Sequence, residues 1–152
     1  IKREKFNPHK EINKILGTID ALIVEKKLIV ENNIPDDLSI RTDKESFRAI
    51  FSNLLNNAIK YSPKDSKIIF NCVMKKGKVV ISIKDNGYGI EKNSLKRVFE
   101  RFYRSAKARA HTKGTGLGLA LVKQLSTRIG ANVSVESKIN VGTEFFVSFQ
   151  YK

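Results

Sequence analysis

The sequence of 152 residues has few of the features that mark small disulfide-bonded or membrane-spanning chains. Its single cysteine, Cys72, excludes an intramolecular disulfide and any cysteine metal cluster. No apolar run reaches the roughly 18 residues of a membrane span, and no signal peptide opens the chain. A chain of this length buries about 70% of its unfolded surface and needs no staple. We therefore expect one soluble domain, residues 1–152, in a reducing compartment. Its first residues, IKREKFN, favour a piece of a longer protein.

The sequence also has few acidic side chains. Fifteen Asp and Glu residues stand against 29 Lys and Arg residues, so the formal net charge is +14. This charge favours a polyanionic partner, such as nucleic acid, nucleotide phosphates or an acidic protein, although a lysine-rich solvated surface would give the same count. The excess is well above the chain average over residues 91–114, where eight basic and two acidic residues lie between two glycine clusters.

Helical periodicity predicts two main helices in the first half of the chain. The first begins at Pro8, after the capping residue Asn7, and carries apolar residues at helical spacing as far as Ile23. The second begins with a capping box from Thr42 to Glu45 and stops before Pro63. Each has an apolar face wide enough to pack on a sheet.

A third main helix is predicted over Gly116–Ile129, with Gly130 as its C-terminal glycine. A single apolar row on this helix holds Leu117, Leu121, Leu125 and Ile129. A weaker helical stretch covers Leu95–Tyr103, and residues 104–114 lack an apolar period, which predicts a mobile loop.

Alternating stretches predict the strands. They are Leu28–Val30, Leu38–Arg41, Ile68–Met74, Val79–Lys84, Val133–Ser137 and Thr143–Tyr151. The first two surround a turn at 34–37, and the later ones form two hairpins. In the last strand Phe145, Val147, Phe149 and Tyr151 share one face. Strands linked mostly as hairpins predict an α/β two-layer sandwich, with a mixed, mostly antiparallel sheet of about five strands and three helices on one face.

The second helix carries a polar stripe beside its apolar face. With Phe47 at 0° and about 100° per residue, Asn57, Asn53 and Lys60 fall at about 280°, 240° and 220°, whereas Asn56 points away at about 180°. Asparagine is a poor helix former, so this pair needs a reason. The amides either bond to the neighbouring sheet or supply oxygen ligands to a hard cation, with Lys60 near phosphate.

Two glycine clusters are candidates for close approach to a ligand. Asp85 ends a strand and is followed by Asn86-Gly87-Tyr88-Gly89-Ile90, which fits either a plain turn or a carboxylate that accepts from a nucleobase amino group. The second cluster, KGTGLGL at 113–119, opens the third helix, and the free amides of such an N-terminus suit phosphates. It matches neither a Walker loop nor a dinucleotide-binding fingerprint.

Five motifs occur in a specific order: NLLNNAIKYS (53–62), DNGYGI (85–90), FERFYR (99–104), KGTGLGLALVK (113–123) and GTEF (142–145). Together they resemble the catalytic, ATP-binding domain of bacterial sensor histidine kinases, within the superfamily that includes gyrase-type and heat-shock-chaperone ATPases. The resemblance covers nearly the whole chain and implies a two-layer α/β sandwich that binds ATP and Mg²⁺ beneath a lid at about 91–114.

The resemblance also implies roles for individual positions. Asp85 would bond the adenine amino group, Thr143 would support adenine through water, and Asn57, then Asn53, would bind Mg²⁺. The lid's aromatic box would be Phe99, Phe102, Tyr103 and Arg104. The implied ATP-binding residues are Asn53, Asn57, Lys60, Tyr61, Asp85, Gly87, Gly89, Ile90, Tyr103, Arg104, Lys113, Gly114, Thr115, Gly116, Leu117, Gly118, Leu119 and Thr143.

One position separates the possible reactions. Related ATPases place a water-activating glutamate where this chain has Asn53, and a neutral amide cannot serve as a general base at pH 7. The resemblance therefore implies γ-phosphate transfer to a histidine. Neither His9 nor His111 lies in the family's acceptor motif, so the acceptor would lie on a dimerisation domain of the same protein.

The implied partners are that dimerisation domain and a response regulator, with no nucleic acid and no membrane contact by this domain. The domain itself would be cytoplasmic, in a membrane-anchored parent protein. Two alternatives remain open at the level of sequence. An ATP-hydrolysing switch would release phosphate steadily, and a nucleic-acid binder would show a steep salt dependence.

Overall fold

The computed structural model describes residues 1–105, 108–109 and 114–151. Its elements in chain order are β1 (Arg3–Phe6), α1 (Pro8–Thr18), α2 (Asp20–Glu25), β2 (Ile29–Asn32), β3 (Ile40–Asp43), α3 (Lys44–Tyr61), β4 (Lys67–Lys75), β5 (Lys78–Asp85), α4 (Lys92–Leu95), α5 (Gly118–Arg128), β6 (Asn132–Lys138) and β7 (Gly142–Gln150). None of the helices in the described ranges is both long enough and apolar enough to cross a membrane.

The main sheet has five strands in the order β2-β4-β5-β7-β6. Only β2 and β4 run parallel, and the other neighbours are antiparallel, which confirms the predicted mostly antiparallel α/β sheet. Both predicted hairpins, β4–β5 and β6–β7, are present. The short strands β2 and β3 are not partners, however, because β3 pairs antiparallel with β1 in a separate two-stranded sheet.

The core lies between one face of the main sheet and the long helix α3. Inward residues from β4, β5 and β7 alternate along their strands, as a half-buried sheet requires. Phe47 and Phe51 of α3 are fully buried, with ring centroids 5.8 Å and 6.5 Å from that of Phe149. This packing fixes α3 on the sheet, so one edge of the helix faces the carboxyl end of β5.

The N-terminal helices differ in detail from the periodicity. Asn7 caps α1 as predicted, since its Oδ1 accepts from the amide of Lys10 at 3.1 Å. The predicted continuous helix breaks at Ile19, where poor helix formers Gly17 and Thr18 precede a non-helical φ of −122°.

The start of α3 is one residue later than predicted. The prediction of Thr42 as its capping residue is wrong, because the helix begins at Lys44 and the residue before it is Asp43, the last of β3. Asp43 takes the role, and its Oδ1 accepts from the amides of Glu45 and Ser46 at 3.1 Å and 3.3 Å. The helix ends at Tyr61, before Pro63, as predicted.

The predicted helix over Leu95–Tyr103 is wrong. Helix α4 stops at Leu95, and turns follow, since Phe102 adopts a left-handed φ of +65° and its amide donates to the carbonyl of Gly116 at 3.0 Å. An amide committed to a distant carbonyl cannot continue a helical ladder. The mobile loop predicted at 104–114 falls largely outside the described residues.

Helix α5 begins at Gly118 rather than Gly116, because Gly116 has φ +74°. The helix ends at Arg128, one residue before the predicted Ile129. Gly130 follows as the predicted C-terminal glycine, with φ +74° and an amide that donates to the carbonyl of Thr127. The single apolar row is wrong in part: Leu121 is 40% exposed, whereas Val122 is fully buried. Tyr151, which alternation placed on the same face as Phe149, is 45% exposed beyond the end of β7.

Candidate nucleotide-binding cleft

A cleft opens where α3, the turn after β5, residues 98–105, Ala108 and the start of α5 meet. The described residues that line it are Asn53, Asn56, Asn57, Lys60, Tyr61, Asp85, Tyr88, Gly89, Ile90, Val98, Tyr103, Arg104, Ser105, Ala108, Gly114, Thr115, Gly116, Gly118, Leu119 and Thr143. Among them Asp85 is the one acidic side chain, and Lys60 and Arg104 are the basic ones. The cleft is thus electrostatically polarised.

Asp85 forms the acidic end of the cleft. It is the last residue of β5, is 5% exposed, and its Oδ1 accepts from the amide of Gly87 at 2.8 Å. Burial raises the pKa of Asp85 to about 6, although backbone hydrogen bonds from Gly87 and Thr143 oppose the shift. The group is mostly a carboxylate at neutral pH and accepts hydrogen bonds from an N–H donor in the cleft.

The turn after Asp85 is held by close backbone contacts. The amide of Tyr88 donates to the carbonyl of Tyr61 at 3.3 Å, and a Cβ on Gly87 would lie 2.4 Å from that same oxygen. Gly89 has φ +77°, and a Cβ there would lie 2.2 Å from the carbonyl oxygen of Lys138. Only glycine fits at both positions, so the glycines bring the turn against α3 on one side and β6 on the other.

Thr143 lies at the same end of the cleft, paired with Asp85 across β5 and β7. Its hydroxyl is 2.8 Å from Oγ of Ser137, which donates to the carbonyl of Gly142 and accepts from the amide of Ile90. Since a serine hydroxyl has one proton, Thr143 is the donor to Ser137. The Thr143 oxygen therefore keeps its acceptor capacity.

The polar stripe of α3 lines the middle of the cleft. Asn53 donates Nδ2 to the carbonyl of Ala49 at 2.7 Å, so its amide bonds to its own helix rather than to the sheet. The amide oxygen lies at the start of α5, since a Cβ on Gly118 would be 3.2 Å from Oδ1. Asn57 and Lys60 also line the cleft. Asn56 is exposed, as the helical wheel predicted, and it lines the cleft as well.

The basic end of the cleft adjoins the start of α5. A Cβ on Gly114 would lie 3.3 Å from Nζ of Lys60 and 3.7 Å from Nε of Arg104, so both cations flank the glycine backbone. In the described part of the chain no side chain caps the first turn of α5. Two cations and uncapped helix amides together form an anion-binding environment.

The aromatic box predicted for the lid divides between three environments. Tyr103 and Arg104 line the cleft, and Arg104 donates Nη2 to the carbonyl of Ala108 at 3.0 Å. Phe99 packs edge-on against Phe145 of the core, with centroids 6.1 Å apart. Phe102 is 67% exposed beside Arg101.

Fifteen of the eighteen predicted site residues line this cleft. Gly87 and Leu117 lie beside it in the chain and shape the turn and the helix start, and Lys113 lies outside the described residues. The prediction missed five lining residues: Asn56, Tyr88, Val98, Ser105 and Ala108. Tyr88 could have been found from its place between the two glycines, whereas Val98, Ser105 and Ala108 carry no chemical signal.

His9 is not among the residues that line the cleft. Nδ1 of His9 lies 2.6 Å from the carbonyl oxygen of Ile34, so Nδ1 carries the proton and ties α1 to the following segment. His111 falls outside the described residues. Within the described ranges, moreover, no three His, Cys, Asp or Glu side chains gather to hold a metal ion.

Comparison with known proteins gives the same family along most of the chain. Residues 42–152 match the family described as histidine kinase-, DNA gyrase B- and HSP90-like ATPases. The chain is 35% identical over 153 residues to sensor protein RprX of Bacteroides fragilis, covering 97% of this chain and 29% of that protein. It is 36% identical over 140 residues to sensor histidine kinase WalK of Bacillus subtilis, covering 88% of this chain and 23% of that protein. The chain thus spans less than a third of these relatives.

Solved structures share the fold. The mycobacterial sensor histidine kinase MprB superposes with a TM-score of 0.83 at 24% identity, covering 98% of this chain and 97% of that one. The catalytic domain of histidine kinase ThkA gives a TM-score of 0.85 at 22% identity, covering 99% and 96%. With the family match over 42–152 and a cleft built from its motifs, the chain belongs to the histidine kinase-, DNA gyrase B- and HSP90-like ATPase family, as an ATP-binding catalytic domain of the sensor histidine kinase type.

Proposed function

We propose that this chain binds Mg-ATP in the cleft and delivers the γ-phosphate to a histidine on a separate dimerisation domain of the same protein, for relay to a response regulator. The observation that carries the proposal is the polarity of the cleft. Buried Asp85 lines the cleft from the turn after β5, whereas Lys60 and Arg104 line it around Gly114, near the uncapped start of α5. That arrangement suits a ligand with an amino-bearing base and a polyanionic tail.

The base end matches adenine. The Asp85 carboxylate accepts from the 6-amino group, and the constrained turn at Gly89 and Ile90 shapes the pocket around the ring. Guanine carries an oxygen at that position, and two acceptors facing each other are repulsive. Asp85 therefore selects ATP over GTP. Thr143, with its oxygen free to accept, supports the base through water.

The amide oxygens of α3 fit a magnesium ion. Mg²⁺ takes oxygen ligands, keeps several waters and uses few protein groups. Asn57, and then Asn53, would hold it, and when bound it neutralises charge on the phosphates. Lys60 and Arg104 add fixed positive charge at the same end. These residues position the triphosphate rather than react with it.

The acceptor follows from Asn53. Its amide is neutral and already donates to Ala49, so it cannot take a proton from water. A histidine acceptor brings a nucleophilic nitrogen and needs no such base. His9 does not line the cleft and is bonded to the carbonyl of Ile34, and we place the acceptor on another domain.

Two solved relatives hold a ligand or partner of the kind proposed here. Full-length ShkA is described in complex with AMPPNP, and ThkA in complex with response regulator protein TrrA. We propose that this chain acts on an acceptor domain and with a response regulator. We also propose that residues at about 91–114 form a lid over the cleft. We further propose a single domain within a membrane-anchored parent, itself facing the cytoplasm and binding neither nucleic acid nor lipid.

A phosphotransfer assay tests the proposal. The chain is incubated with γ-labelled Mg-ATP and with the helical dimerisation domain of its full-length protein supplied in trans. We expect label on that domain that is lost in acid, as a phosphohistidine is, and that depends on Asp85. Steady phosphate release by the chain alone, near ~1 s⁻¹, would instead identify an ATP-hydrolysing switch.

A salt series separates the remaining alternative. ATP binding that is weakened by Asp85→Ala and changes little between low and moderate salt supports a nucleotide site. Binding of a DNA or RNA duplex with a steep salt slope, unaffected by Asp85→Ala, would make the +14 charge the functional feature and contradict the proposal.

A further inference from the structure

Tyr103 and Arg104 line two hollows at once. One is the nucleotide-binding cleft, and the other is an open groove that also contains Glu91, Ser94 and Arg97. These two residues therefore form a wall between the cleft and the groove. What holds the wall in place bears on the shape of the cleft.

The phenol of Tyr103 is anchored on the groove side. Its oxygen lies 2.5 Å from Oγ of Ser94, and Ser94 donates to Oε2 of Glu91 at 2.9 Å. Ser94 is 5% exposed, so its hydroxyl has little access to water. A serine hydroxyl has one proton, and the Glu91 carboxylate accepts only. Tyr103 must therefore donate its proton to Ser94, and it has none left to give to a phosphate.

The ring of Tyr103 is held as well as its hydroxyl. The guanidinium carbon of Arg97 lies 4.4 Å from the ring centroid, a cation–π contact. Arg97 is itself oriented by Glu100, which accepts from Nε at 3.1 Å and from Nη2 at 3.3 Å. The aromatic ring is thus fixed at its polar end by one residue and across its face by another.

We infer that Ser94 and Arg97 are positioning residues for nucleotide binding: they hold Tyr103 as a rigid wall of the cleft, so that Arg104, the next residue, stays at the phosphate end. The inference deepens the proposed function and rests on it. Tyr103 contributes an anchored apolar ring, with no hydrogen bond from its hydroxyl to the nucleotide. Ser94, outside the cleft, then matters for affinity as much as the tyrosine hydroxyl does.

Calorimetric titration of Mg-ATP tests this with four proteins: the parent, Ser94→Ala, Tyr103→Phe and the double variant. One neutral hydrogen bond is at stake, so each single variant should bind ATP about 3- to 10-fold more weakly. The double variant should bind no more weakly than either single one, because both changes remove the same contact. Arg97→Gln should also weaken binding, and Ser134→Ala, an exposed hydroxyl on β6, is the matched control that should not.

A purely structural role predicts a different pattern. Urea unfolding of each variant should then show a loss of stability, with the folded fraction binding ATP as the parent does, and that result would overturn the inference. Losses that add in the double variant, with Tyr103→Phe far the larger, would mean that the phenol contacts the nucleotide directly and would also overturn it. Tyr103→Phe keeps the ring, so it serves as the test if Ser94→Ala does not fold. A parent chain that binds no ATP would instead refute the proposed function.

Discussion

The carboxylate of Asp85 and the backbone amide of Gly87 form a 2.8 Å hydrogen bond inside the protein, at the point where β5 turns into the cleft. The carboxylate also accepts from the backbone amide of Thr143. Because its two oxygens offer about four acceptor sites, capacity remains for a ligand. Position 87 must be glycine, because a side chain there would collide with the carbonyl of Tyr61. One turn thus orients the carboxylate and closes the pocket.

Replacement of Asp85 by alanine should weaken ATP binding roughly 10- to 150-fold, because one charge-assisted hydrogen bond of about 1.5–3 kcal/mol is lost. GTP binding should change much less, since guanine offers no amino group at that position. Calorimetry with both nucleotides measures the two losses. Equal affinity of the parent chain for ATP and GTP would show that Asp85 does not recognise the base.

The raised pKa of Asp85 gives a pH dependence of binding. Below a pH of about 6 the side chain is increasingly protonated and a weaker acceptor, so ATP affinity should fall as the pH drops from 7.5 to 5. Asp85→Asn should bind weakly throughout and without that dependence. Titrations at several pH values check this, and a parent whose affinity is constant across the range would contradict it.

The same burial makes Asp85 costly to stability at neutral pH. Its folded pKa of about 6 lies above the ordinary 3.8, so the folded state binds the proton more tightly. The favourable contribution is fully present below pH 3.8 and is lost as the pH rises through 6, at a total cost of roughly 3 kcal/mol. Urea unfolding should therefore show Asp85→Asn gaining on the parent by roughly 1–2 kcal/mol between pH 5 and 8. A constant difference would argue against a desolvated carboxylate.

Asn57 is expected to carry the magnesium dependence. Asn57→Ala removes an amide oxygen from the α3 stripe, so ATP binding should lose most of its stimulation by Mg²⁺ while nucleotide binding without the metal is retained. Titrations with Mg²⁺ and with a chelator measure this linkage. Exposed Asn93→Ala, on α4, is the control. An unchanged effect of Mg²⁺ on ATP binding in Asn57→Ala would show that Asn57 is not a ligand of the metal.

Two glycines allow the backbone contact at the cleft to be isolated. Gly89 and Gly77 have nearly the same φ, +77° and +75°, but a Cβ on Gly89 would lie 2.2 Å from the carbonyl of Lys138 while one on Gly77 would meet open space. Gly77→Ala should cost about 1–2 kcal/mol for the left-handed conformation and leave ATP binding intact. Gly89→Ala should cost more and impair binding. Similar unfolding free energies and affinities in the two variants would show that the turn is not held tightly.

Lys26 is expected to stabilise the end of α3. Its ammonium donates to the carbonyl of Ile59 at 2.6 Å and of Ser62 at 2.9 Å, and burial lowers its pKa. Lys26→Met keeps the aliphatic stem and should lower the free energy of unfolding by about 1.5–3 kcal/mol. Exposed Lys64→Met is the control in urea unfolding. Equal stability of the two variants would show that the capping contributes nothing.

Much of the cleft was predictable from local pattern. The strand that ends at Asp85 and the glycines after it predicted a turn that a ligand can approach closely. The apolar period of α3 predicted that Asn53, Asn57 and Lys60 share one edge of a buried helix. Periodicity predicts this shared edge because it indicates which face of a helix or strand is buried away from water. The helical wheel does not predict that Asn56 lines the cleft. A second element can bound a cleft further round a helix than the buried core extends.

The sequence by itself determined the order of motifs, the hairpins, the absence of a glutamate at position 53 and hence the kind of chemistry to expect. Tertiary structure alone decided that β2 pairs with β4 rather than with β3, that burial raises the pKa of Asp85, and that Tyr103 is held by Ser94 and Arg97. Local spacing specifies the faces of helices and strands. Pairing partners, depth of burial and hydrogen bonds between distant side chains depend on contacts between segments that are far apart in the chain, and no window of sequence contains both.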